Sequence, residues 1–99
     1  QRIGVRGVSG FFRDKKGLKA VIVSEKNRAK YARKSYNVLA ETGKISKKKI
    51  NYMTVYESKG LEFTCVAVAD KNMTKQEKYI AYTRALKELA VIREGNSAE

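Results

Sequence analysis

FTCVAVADKNMTKQEKYIAYTRALKELAVIR, residues 63–93, contains the change of period that decides the fold. Its first seven residues are an apolar run ending at Asp70, as in a strand buried on both faces. Thr74 followed three residues later by Glu77 makes a capping box. Tyr79, Ile80, Thr83 and Leu86 then recur at helical spacing, with Lys87 on the exposed side. Residues 89–93 return to a strand. A strand, a helix and a strand in that order join parallel neighbours through a right-handed crossover.

A similar unit lies upstream. Residues 18–23, LKAVIV, form a short β-branched run, and Ser24 is placed to cap a helix starting near Glu25. Ala32, Tyr36, Leu39 and Ala40 would give that helix one apolar stripe. Lys26, Arg28, Lys30, Arg33 and Lys34 would cover the rest of it, and Gly43 would end it. Residues 44–49 hold four lysines and no acid, which reads as a solvated connector. Residues 50–56 alternate as a third strand, and residues 58–62 turn into the fourth at 63–69. Residues 2–8 supply one more short strand, and the charged residues 13–17 break it. The expected fold is α/β, a mostly parallel sheet flanked by helices in the order β, β-α-β, β-α-β. Residues 94–99 are polar and expected to fray.

Ninety-nine residues make one domain, 1–99, with one modest core. Lys and Arg outnumber Asp and Glu 22 to 10, a net charge of +12 that favours a polyanionic partner. With one cysteine, Cys65, and no histidine, an internal disulfide and a Cys-His nucleophile are excluded, so Cys65 is expected in the core. No apolar stretch approaches the roughly 20 residues of a membrane span. A soluble chain of the reduced cytoplasm, without membrane contact, is the expectation.

No G-x-x-x-x-G-K-[ST] phosphate loop occurs, so the chain has no cradle of its own for nucleotide phosphates. Two strings nevertheless carry chemistry. TVYESKGLEF, residues 54–63, places a glycine in a turn after a strand, where it permits backbone angles that strain other residues. YIAYTRALKEL, residues 79–89, presents Arg84 between small residues. The plainest reading of that arginine is a surface ion pair with Glu77 or Glu88. Lysines 47–49 with Tyr52 and Tyr56 combine charge and stacking surface, as single-strand binding requires. Core packing is the expectation for Tyr52, since Tyr52, Thr54 and Tyr56 would share one strand face.

These strings resemble motifs V and VI of UvrD/Rep-type superfamily 1 DNA helicases, in which the second RecA-like domain carries T-x-x-x-x-KGLEF and then Y-x-A-x-TRA-x-x-x-L. The resemblance is close over residues 52–63 and 79–89, and residues 18–31 look loosely like motif IV. It implies a C-terminal RecA-like domain of an ATP-dependent DNA helicase or translocase. Arg84 would reach the γ-phosphate, Glu62 beside Gly60 would bond the ribose hydroxyls, and Arg28 would be a further nucleotide contact. Thr54, Tyr56, Ser58 and Lys59 would touch single-stranded DNA. ATP and Mg²⁺ would depend on an N-terminal RecA-like domain elsewhere in the full-length chain, so residues 1–99 alone would hydrolyse nothing. Many relatives have histidine where this chain has Tyr56, and a longer acidic segment before motif VI. The alternative is a non-catalytic nucleic-acid-binding or protein-docking module that keeps the helicase-like fold.

Overall fold

In the computed structural model, which describes residues 1–94, the apolar run becomes strand β5 (Phe63–Ala69), buried at every position but Thr64. It pairs with β2 (Lys19–Val23) on one side and β6 (Ala85–Ile92) on the other. Strands β4 (Asn51–Thr54) and β3 (Asn37–Val38) continue the sheet beyond β2, and β1 (Arg2–Ile3) lies beyond β6. The order is β1-β6-β5-β2-β4-β3 and every pairing is parallel. The chain is therefore an α/β domain whose single sheet is flanked by helices, consistent with a compact RecA-like architecture.

Both faces of the sheet are covered, which is why β2 and β5 read as continuous apolar runs rather than alternating ones. Val21, Val23, Tyr52, Ala67, Ala69 and Ile92 point to one face, beneath helix α1 (Val8–Phe12) and Tyr31 and Tyr36. Ile22, Met53, Val66 and Val68 point to the other, beneath α2 (Leu39–Thr42), α3 (Val55–Ser58) and α4 (Lys75–Tyr82). Cys65 is buried in the first layer, and Tyr52, 2% exposed, is core as expected. No helix among the described residues is long and apolar enough to cross a membrane.

The main correction concerns residues 25–43, where a single helix was expected. Ser24 does cap, accepting from the Asn27 N–H, but only a 3₁₀ turn follows (Glu25–Asn27), then irregular backbone, β3 and the short α2. Tyr31 and Tyr36 are both buried on the same face of the sheet, yet five helical residues would set them about 140° apart. Lys26, Lys30 and Lys34 would also repel at successive i,i+4 spacings, with no acid between Glu25 and Glu41 to relieve them. Gly43 keeps its expected place, ending α2 with φ 70°.

Other boundaries shift for local reasons. The strand expected within residues 2–8 stops at Ile3. Phe11 and Phe12 are both buried, 4.9 Å apart edge to face, and adjacent strand residues would point to opposite faces whereas α1 turns both inward. The third strand ends at Thr54 because the next four residues wind into α3. Helix α4 stops at Tyr82, so Arg84 lies in a turn, and β6 begins at Ala85 rather than residue 89. Of the tail expected to fray, Glu94 is ion-paired with Lys30 and Lys71, and residues 95–99 lie outside the described residues.

Candidate functional site

Strand β4 delivers the chain to Thr54, whose hydroxyl accepts from the Glu57 N–H while the Glu57 carboxylate accepts from the Thr54 N–H. This second capping box starts α3, and its T-x-x-E pattern at residues 54–57 repeats the one at 74–77. Sequence reading missed it because the strand pattern ran across it. The other Glu57 oxygen pairs with Arg28 at 3.0 Å, and Arg28 makes two more bonds to Glu25. Arg28 thus ties the loop after β2 to the start of α3, and its charge is met by two carboxylates. The Glu25 hydrogen bond, then the Glu57 one, raise its pKa further.

The residues implied as DNA contacts divide by exposure. Thr54 and Ser58 are buried at 1% and 0%, the Thr54 hydroxyl held in the cap and the Ser58 hydroxyl donating to the Val55 carbonyl. Both shape α3 and neither reaches the surface. Tyr56 is 76% exposed, with the Lys59 ammonium 5.4 Å from its ring centroid. The two line a groove between α3 and α4 together with Val55, Gln76, Glu77 and Ile80. An open ring beside a cation is the pairing that stacks a base and meets its phosphate.

Beyond α3 the chain turns at Gly60, φ 83°, where nothing crowds a Cβ, so the requirement is on backbone angle and not on space. The Leu61 N–H donates to the Ser58 carbonyl to close the turn. Glu62 follows, exposed and without a hydrogen-bond or ion-pair partner among the described residues. Helix α4, running alongside, ends at Tyr82 and is followed by Thr83 and Arg84 in a turn. The Thr83 hydroxyl lies 2.9 Å from the Tyr79 carbonyl and 3.0 Å from that of Ile80, and the Arg84 Nε donates to Ile80 at 3.1 Å. Together they cap two carbonyls of the helix's last turn, those of Tyr79 and Ile80.

Arg84 bonds to both chain neighbours of Glu62. Its Nη1 donates to the Leu61 carbonyl at 3.2 Å, and its own carbonyl accepts from the Phe63 N–H at 2.9 Å. The ion pair with Glu77 or Glu88 that the spacing allowed does not form. Glu77 serves the Thr74 cap and Glu88 meets Lys15. With Nη2 reaching Thr83 at 3.4 Å, two of the five guanidinium N–H donors remain free. Arg84 is half-buried, pairs with no carboxylate among the described residues, and bonds the backbone on either side of Glu62.

The structure therefore gathers Gly60, Glu62 and Arg84 at the amino-terminal end of the central strands and leaves Arg28 and Thr54 at the carboxyl-terminal end. Helix α3, carrying Tyr56, and Lys59 link the two groups. Among the described residues no group of three or more acids, cysteines or histidines could hold a metal ion. In comparisons with known proteins, no family model matches the chain, and no curated protein matches it.

Proposed function

We propose that this chain is the C-terminal RecA-like domain of an ATP-dependent DNA helicase or translocase, working on a nucleotide held mainly by an N-terminal RecA-like domain of the same protein. The observation that carries the reading is the pair of bonds by which Arg84 brackets Glu62. A carboxylate able to accept from ribose hydroxyls and a guanidinium with two free donors then share one edge, as a nucleotide in a cleft would need. Phosphoryl transfer builds charge on the γ-phosphate oxygens, and an arginine presented across the cleft offsets it. Mg²⁺, bound on the other domain, would neutralise charge between the β- and γ-phosphates. Single-stranded DNA would lie along the α3–α4 groove on Tyr56 and Lys59, and α3 would couple it to the Arg84 edge. A cytoplasmic location belongs to the same reading.

In the protein carrying both domains, Arg84→Ala should lower DNA-stimulated ATP hydrolysis by about 10³ to 10⁵-fold while leaving single-strand affinity within about twofold. Steady-state ATPase assays with fluorescence-anisotropy binding measure both. Unchanged hydrolysis would reject the arginine's role. It would favour the non-catalytic nucleic-acid-binding or docking module, a reading that the many uncompensated lysines also suit.

A further inference from the structure

Charge in this domain is sorted by end of the sheet. Five of the six ion pairs among the described residues, Arg28–Glu25, Arg28–Glu57, Lys30–Glu94, Lys71–Glu94 and Arg93–Asp70, cluster where the strands finish, and Lys15–Glu88 lies toward their start. Where the strands start, the cations far outnumber the acids. There, on the face opposite α3 and α4, Ser9, Phe12, Arg13, Lys19, Lys48 and Ile50 line a shallow groove without a carboxylate. None of Arg13, Lys19 and Lys48 has an ion-pair partner among the described residues.

The groove is also built from within. Asn51, fully buried, donates to the Lys19 carbonyl and to the Ser46 carbonyl, both at 3.0 Å, and accepts from the Ser46 N–H and from Asn37. The Ser46 hydroxyl in turn accepts from the N–H groups of Lys48 and Lys49 at 3.1 and 2.8 Å. Asn37 fastens the other end of the loop through the Lys44 carbonyl at 2.7 Å. One buried amide thus anchors the backbone of Lys19 and of the lysine loop to each other. The loop's order is set before any ligand arrives, which lowers the entropy lost on binding.

From this we infer that the amino-terminal end of the sheet, centred on Arg13, Lys19 and Lys48, is a second binding surface for the phosphate backbone of nucleic acid, independent of the ATP reading. Phe12 is 4% exposed and Ile50 half-buried, so the groove offers no apolar anchor of the kind a protein interface needs. Backbone phosphates require only placed cations, and they carry no sequence information, so binding here is sequence-tolerant.

The test is the salt dependence of binding to a single-stranded thymidine oligonucleotide. Neutralising Arg13→Gln, Lys19→Gln and Lys48→Gln together should make the slope of log affinity against log salt shallower by about 2, at about 0.7 for each phosphate left without its cation. A control with Lys26→Gln, Lys75→Gln and Lys78→Gln changes net charge equally at the far end and should keep the original slope. The groove variant's loss should persist in a Tyr56→Ala, Lys59→Ala background, which separates it from the α3–α4 groove. Amide chemical shifts should move at residues 9–19 and 44–50 of the unaltered chain on titration with the oligonucleotide. An equal drop in both triple variants, a groove whose amides stay silent, or polyglutamate of matched charge binding as tightly as the oligonucleotide would overturn the assignment.

Discussion

Arg84 and Asn51 show how much one side chain can hold in a chain of this size. Arg84 closes a helix, ties down the Gly60 turn and keeps two donors free. Asn51 uses one buried amide to join β2, β3 and the lysine loop. Replacing Asn51 by Ala would strand the Lys19 and Ser46 carbonyls and the Ser46 N–H, so Asn51→Ala should cost about 1–3 kcal/mol in urea unfolding. It should also raise amide exchange across residues 44–50, and unchanged exchange there would contradict its anchoring role. Neither role shows in the residue itself. In the sequence Asn51 is one polar residue at the start of a strand, and Arg84 reads as helical surface, because in each case the partners belong to other segments.

At the scale of elements, the two T-x-x-E boxes are the strongest local signals, and each starts the helix that its pattern implies. A cap is worth about 0.5–2 kcal/mol. Thr54→Ala should lie at the upper end of that range and Thr74→Ala at the lower, since the Thr54 box is buried and its Glu57 also holds Arg28, while the Thr74 box is exposed. Thermal unfolding of the two variants would check the order, and equal losses would show that the Arg28 link adds nothing. Strands β2 and β5 and helix α4 were legible because each rests on contacts a few residues long. The segment 25–43 was not. Its apolar spacing suits a helix, but packing Tyr31 and Tyr36 onto one sheet face requires a different backbone, and the burial of both rings overrides the helical propensity of its Ala, Lys and Arg residues.

For the molecule as a whole, Glu94 acts as a clasp. It sits just past β6 and meets Lys30 and Tyr31, more than 60 residues back, together with Lys71. Hydrogen bonds from Lys30 first, then Tyr31 and Lys71, hold its carboxyl down to about 2. A carboxyl depressed in the folded state contributes stability above its ordinary value near 4.5 and loses it as pH falls toward 2. The melting-temperature gap between the native chain and Glu94→Gln should therefore be widest above about pH 5 and close on acidification to about pH 2. A gap independent of pH would mean that the clasp contributes no charge-dependent stability.

Near neighbours were enough to establish the α/β class, the buried β2 and β5, the cap of α4 and the core place of Cys65, since period, capping and burial are written over a few consecutive residues. Tertiary structure alone decided that Arg84 would bond the backbone on either side of Glu62 and not an acid of its own helix, and that Asn51 would bind the lysine loop to β2. It also decided that five of the six ion pairs among the described residues would collect at one end of the sheet and leave cations open at the other. Those outcomes depend on where parallel crossovers return the chain, and pairings between residues dozens of positions apart leave no local mark.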